Sequence, residues 1–403
     1  MLCRLIDINT ENSGNNGREK ELSEYLAKEY AKLGLEADLY SPDSVPNIKA
    51  HPDYLEGRNL EDRPNITVKL AGKDSKKSLM LAGHLDTMPI GDESIWTMPP
   101  TKGTVKDGRI YGRGANDDKH ALAIELFLAK AFRELGVKLN NDVYLSGYVD
   151  EEFGGGDGAL ACCLKYPSDF YINIDSDYMD IIHSGVGGQR LAIELRHPDP
   201  KDSCEDMIEA IYLTKKEIDE FGKRRKSEMS KNALYKDTEI PEKSLRYMNV
   251  ATGLNTTDRN RGIVDFAFYT DRSKEEIKIE LNELFESVSR AIEHLGIKLD
   301  NVIYRSRFFP FAAVDKGHKC IDLLKSCAKN ALDRELLVKG MCLSDLNIFI
   351  KNSGGNAISC GACRGFADEG GAHQPDEYVL CDELVDLTKL MVEFIFEWDK
   401  SND

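Results

Sequence analysis

The stretch NDVYLSGYVDEEFGGGDGALACCLKYPSDFYINIDSD, residues 141–177, decides the fold. Its apolar run over 143–149 predicts a strand over 142–149 with both faces buried, because polar and apolar residues do not alternate along it. The run ends in Asp150, Glu151 and Glu152 and then, after Phe153, a glycine run over 154–156. A helix is predicted over 157–165. A second apolar strand over 169–174 follows and ends in Asp175 and Asp177. Like charges packed side by side repel, and a buried carboxylate is costly without a cation. No lysine or arginine stands near Asp150–Glu152 in sequence, so the expected counter-charge comes from outside the chain.

The same pattern extends in both directions. Strands are predicted over 65–70 (NITVKL) and 77–83 (KSLMLAG), and helices over 18–34 and 117–135. The first helix carries the stripe Leu22, Tyr25, Leu26, Tyr30, Leu33 and stops at Gly34. The middle of the chain reads differently. A strand over 189–196, a charged helix over 203–233, strands over 245–252 and 262–270, a helix over 274–296 and a strand over 299–305 make the order β-α-β-β-α-β. A helix over 316–333, a strand over 356–360 and a helix over 381–398 close the sequence. The fold class expected is α/β. One mostly parallel-sheet domain, residues 1–187 and 313–403, is interrupted by an inserted α+β, ferredoxin-like domain over 188–312.

With 53 Lys and Arg against 70 Asp and Glu, the net charge of −17 argues against a nucleic-acid partner or a polybasic membrane anchor. Arg4 and Asp7 break the N-terminal apolar stretch, so it does not read as a signal peptide. No run reaches the ~18 apolar residues of a membrane span. The ten cysteines are irregularly spaced, as for reduced thiols in a cytoplasm, the expected location. Cys360 and Cys363 form a CxxC, but they end a strand rather than open a helix and lack a second ligand pair. Neither a redox pair nor a zinc half-site is expected there.

In an open α/β sheet, sites form at the carboxyl ends of the strands. Here those ends offer His84 and Asp86 in GHLDT, Asp117 and Asp118 in GRGANDDKH, Glu151 and Glu152, Asp175, and His373 in GGAHQPDE. Singly, each has a plain structural role: a core histidine, a helix N-cap, turn residues, a solvated glutamate. Together on one sheet edge they form an imidazole and carboxylate set suited to zinc, with cobalt or manganese also accommodated. Two divalent metal ions sharing a bridging carboxylate balance that charge better than one. His84 and Asp86, two apart on an extended segment, share a side, so Asp86 is expected to orient the His84 ring.

In order, GHLDT, YGRGANDDKHA, DEEFGGGDGA, the acid of INIDSD and GGAHQPDEYV resemble the zinc metallopeptidase and deacylase family of acetylornithine deacetylase, succinyl-diaminopimelate desuccinylase, aminoacylase and glutamate carboxypeptidase. The resemblance implies that His84, Asp117 and Asp175 bind one zinc and that Asp117, Glu152 and His373 bind the other. It implies Glu151 as general base, Asp86 as orienting residue, Arg272 as the anchor of a substrate carboxylate and Asn255 as the lid asparagine. It further implies that residues 1–187 with 313–403 are the catalytic domain (phosphorylase/hydrolase-like), that 188–312 are a lid, and that the chain forms a homodimer through the lid. The substrate expected is an N-acyl amino acid or short peptide with a free carboxylate. The chain departs from the family pattern in three places. His120 replaces a glycine and Asp118 a methionine. Asp175 stands where deacylases carry Glu and dipeptidases Asp. The lid histidine has no counterpart, His197 being displaced from its position. A dipeptidase or carboxypeptidase is the alternative within enzymes, and a non-enzymatic metal- or peptide-binding protein the alternative outside them.

Overall fold

Asp142–Tyr148 and Phe170–Asn173 run parallel on either side of Ser78–His84, and Ala357–Ser359 adds a fourth parallel strand beside Phe170–Asn173. Their apolar residues are fully covered, Leu79, Leu81, Val143 and Ile172 each at 0% exposure, as burial on both faces requires. Asn65–Leu70 lies antiparallel to Asp142–Tyr148, and Ala37–Tyr40 antiparallel to Asn65–Leu70, so one edge reverses direction. The helix Lys119–Glu134 packs on Ser78–His84. Gly83 permits that approach: a Cβ there would stand 2.5 Å from the Ala121 Cβ. The helix ends where Gly136 takes φ 66°.

The computed structural model describes residues 1–199, 204–253 and 260–401. It comprises two units, Met1–Ser184 with Ala313–Lys339 and Ile348–Asp403, and Gly185–Ala312 with Gly340–Asn347. The parallel sheet belongs to the first. That unit also holds a small antiparallel sheet of Tyr378–Leu380, Arg109–Tyr111 and Thr104–Lys106, strands too short to show a sequence period. The second unit is a four-stranded antiparallel sheet ordered Leu245–Thr252, Arg261–Thr270, Gly187–Arg196, Lys298–Tyr304. Its core places Leu191, Ile193, Val264, Phe266 and Phe268 against Phe221 of the helix Cys204–Met229 and Leu281 and Val288 of Lys274–Ile292. Ser273 and Glu276 cap the latter reciprocally. The α/β class expected from the sequence is the class observed. Among the described residues, no helix is long and apolar enough to cross a membrane.

Candidate metal centre

The strand Ser78–His84 delivers a fully buried imidazole to the sheet edge. His84 Nδ1 donates to the Asp86 backbone carbonyl at 2.9 Å, which leaves Nε2 as the nitrogen that a cation could take. Nε2 lies 2.7 Å from Asp117 Oδ1. The other Asp117 oxygen, Oδ2, lies 3.3 Å from His373 Nε2, which is 2.7 Å from Glu152 Oε2. One carboxylate thus faces two imidazoles, one oxygen to each. His84, Asp117 and Glu152 offer ligand atoms within 4.8 Å of one another. Asp175, just beyond Phe170–Asn173, is half-buried, and the Cys363 Sγ lies 3.8 Å from its Oδ1.

Asp117 precedes the helix Lys119–Glu134 in a loop of unpaired backbone donors. The fully buried Glu377 satisfies them: its Oε1 accepts the N–H groups of Gly114 at 2.9 Å, Asn116 at 2.9 Å and Asp117 at 3.0 Å. Arg113 neutralises the same carboxylate at 2.5 Å. Sequence reading singled out His373 in this segment and passed over Glu377. The signal available was a glycine-rich run of N–H groups with no acceptor of its own.

Asp86 works differently from expectation. Its carboxylate stands 3.7 Å from His84 Nδ1, so the ring is oriented by the Asp86 carbonyl. The carboxylate instead accepts the backbone N–H groups of Glu151 and Glu152, both at 3.1 Å, and Asn12 Nδ2 at 2.8 Å. It therefore positions the two glutamates.

The expectation that no protein cation meets the acids at 150–152 fails for Asp150. Arg58 donates to both of its oxygens, Nε at 2.8 Å, and Arg63 Nη2 lies 3.0 Å away. Both arginines come from an irregular segment about ninety residues earlier in the chain, |i−j| being 92 for Arg58. Gly155 makes room, since a Cβ there would fall 1.8 Å from Asp150 Oδ2.

A second buried group, Asp118, His120 and Cys363, lies beside the first. His120 Nε2 accepts the Ala362 N–H at 3.2 Å, which places the proton of a neutral ring on Nδ1, 3.2 Å from Asp118 Oδ1. Asp118 Oδ2 accepts the His84 N–H at 3.2 Å. Neither His120 Nδ1 nor Asp118 Oδ1 has a hydrogen-bond partner among the described residues, and the group packs behind His84. Among the described cysteines all are free. Cys360 and Cys363 are buried, and burial pushes the Cys360 thiol up to about 12.

Burial alone would lower the pKa of His373, but the Glu152 charge and hydrogen bonds to Asp117 and Glu152 push it up to about 11. Burial and the neighbouring Asp117 charge raise Asp175 to about 7 and Asp177 to about 6. Burial opposes ionisation of Asp117, yet His373 and His84 hold its pKa well below the carboxylate range. A cation taking His373 must displace a proton, so its affinity rises as pH rises, about tenfold per pH unit for each proton released. Zinc titrations at pH 7 in buffers of different ionisation enthalpy are expected to show at least one proton released per chain. Enthalpies independent of buffer would show that the His373 ring is already neutral at pH 7.

Arg272 belongs to the second unit, where its Nε lies 3.3 Å from Glu228 and its Nη1 3.1 Å from Glu280. Asn255 lies outside the described residues.

Residues 80–397 match the model of peptidase family M20/M25/M40. The chain is 28% identical over 375 residues to the N-formyl-4-amino-5-aminomethyl-2-methylpyrimidine deformylase of Bacillus subtilis, covering 83% of each. Among solved structures it is similar to an M20 family metallo-carboxypeptidase of Sulfolobus solfataricus, with a TM-score of 0.71, 19% identity, and coverage of 99% and 98%. It is also similar to the di-peptidase Dug1p of Saccharomyces cerevisiae, with a TM-score of 0.77, 15% identity, and coverage of 100% and 95%.

Proposed function

The chain belongs to peptidase family M20/M25/M40 and is a metallohydrolase of amide or peptide bonds, and from that premise we propose that it cleaves N-acyl amino acids or short peptides with two divalent ions. The observation that carries this is Asp117, whose two oxygens face two different histidines, as a bridging ligand requires. The donor set suits zinc, and cobalt and manganese also fit it. His84, Asp117 and Asp175 would hold one ion, and Asp117, Glu152 and His373 the other. Bound there, such a pair supplies Lewis acidity and acidifies a water toward neutral pH.

The chain's own residues do the rest. Glu151 accepts the proton of the attacking water and passes it to the leaving nitrogen. Asp86 holds the backbone of Glu151 and Glu152 in the turn that follows Asp142–Tyr148. Glu377 keeps Asp117 aimed at both histidines. A substrate carboxylate bound by Arg272 would have to replace Glu228 and Glu280 there. The second unit is assigned the role of lid and of homodimer contact.

Purified protein reconstituted with zinc, cobalt or manganese is expected to bind about two ions per chain and to hydrolyse members of a panel of N-acyl amino acids and dipeptides. A metal-loaded protein that cleaves none of them would overturn this reading and favour a binding protein.

A further inference from the structure

Beside the metal centre, the loop through Cys363–Phe366 lines up with three residues of the site. Cys363 faces Asp175, with Sγ 3.8 Å from Oδ1. Gly365 faces Asp177, whose Oδ2 would stand 3.8 Å from a Cβ at that glycine. Phe366 faces His373, with ring centroids 4.9 Å apart at 61°. The backbone fixes this alignment: Asp177 and Cys363 form a parallel bridge, Tyr178 N donates to Cys363 O at 3.0 Å, and Gln374 Nε2 donates to Phe366 O at 2.7 Å.

Two side chains on this rim have no structural use. Among the described residues, no hydrogen bond or ion pair reaches the half-buried Asp177 carboxylate, although Tyr178 and Gly365 next to it satisfy Asp368. Lys339, the nearest lysine to act on it, is paired with Asp180. Phe366 is 49% exposed while its ring lies 4.9 Å from that of His373. A carboxylate without a bonded protein cation and a half-exposed aromatic ring, at neighbouring positions along this loop, match a group with an ammonium and an apolar side chain on the same carbon.

We propose that Asp177 receives the free α-ammonium of the substrate and Phe366 its apolar side chain, so that the substrates are short peptides with an unblocked apolar N-terminal residue. This rests on the amide-hydrolase reading above and narrows it, disfavouring N-acyl amino acids.

The test is kcat/KM of the zinc-loaded enzyme for Leu-Gly, N-acetyl-Leu-Gly and Gly-Gly, with Asp177→Asn, Phe366→Ala and the wild type, and metal content measured on each. Loss of one charge-assisted hydrogen bond is worth about 10- to 100-fold. The wild type is expected to prefer Leu-Gly over its acetylated form by that factor. Asp177→Asn removes the preference by slowing Leu-Gly alone, with metal content unchanged. Phe366→Ala lowers the Leu-Gly to Gly-Gly ratio about tenfold and leaves the amine preference in place. Equal rates on free and acetylated peptides in the wild type, or equal slowing of both in Asp177→Asn, would overturn this inference while leaving the hydrolase reading intact. Metal lost from Asp177→Asn would also overturn it, by assigning Asp177 to the ions. Turnover of none of the three peptides by an enzyme that cleaves N-acyl amino acids would likewise overturn this inference and leave the hydrolase reading intact.

Discussion

Replacing Glu151 with glutamine is expected to leave metal binding intact and to lower kcat by about 10²- to 10⁴-fold, the range for loss of a positioned general base. Glutamine keeps the shape of glutamate and its backbone N–H, which donates to Asp86 Oδ1 at 3.1 Å, so the segment need not move. What it lacks is a site that takes up a proton. The neighbouring Glu152 is engaged with His373 and with the Met88 N–H and cannot stand in. Because the lost interaction develops only as the proton moves, KM is expected to change little. The measurement pairs steady-state kinetics with metal analysis on the same preparation. Turnover within tenfold of wild type at unchanged metal content would remove Glu151 from the role of base. Loss of metal would make it a ligand.

The parts of this molecule legible in its sequence are those that depend on continuous local pattern. Ser78–His84, Asp142–Tyr148 and Phe170–Asn173 could be read because each is a mostly apolar run without alternation, closed by a histidine or followed two residues later by an acid. Elements of the second unit could be read because Gly187–Arg196 and Arg261–Thr270 are long and each is followed by a long, charged helix. Ala37–Tyr40 and the strands Thr104–Lys106, Arg109–Tyr111 and Tyr378–Leu380 are too short to set a period, and they went unread. His84, Asp117, Glu152 and His373 could be named because metal chemistry limits the residue types that can gather at a sheet edge. The groups that hold them were harder to find. Glu377 acts through backbone N–H groups, which every residue carries. His120 meets Ala362 only because the helix start and the loop around Ala362 come together in the fold. Arg58 and Arg63 reach Asp150 from a segment without regular structure, where spacing carries no information.

Those arginines support the second large effect. Replacing Arg63 with methionine is expected to destabilise the first unit by about 3–5 kcal/mol, the cost of breaking a buried ion pair from one side. Arg63 and Glu19 are exposed by only 1% and 0%, and they meet through Nη2 to Oε1 at 2.6 Å and Nε to both carboxylate oxygens at 3.0 Å. The same guanidinium also reaches Asp150 and the Asn59 carbonyl. Burial already pushes Glu19 up to about 7 with the arginine in place. Without it, the buried Glu19 carboxylate loses this cation, and Asp150 keeps Arg58 and the Asn12 amide. If the loss comes from that stranded charge, the double variant Arg63→Met with Glu19→Gln should recover part of it, because a neutral amide is cheaper to leave unpaired. Denaturant unfolding of the wild type, the single variant and the double variant decides this. A single variant within about 1 kcal/mol of wild type, the scale of a surface pair, would show that the pair is not what holds Asp150 and the Glu151–Glu152 turn. A double variant no more stable than the single would place the loss in packing around the guanidinium instead of in the unpaired charge.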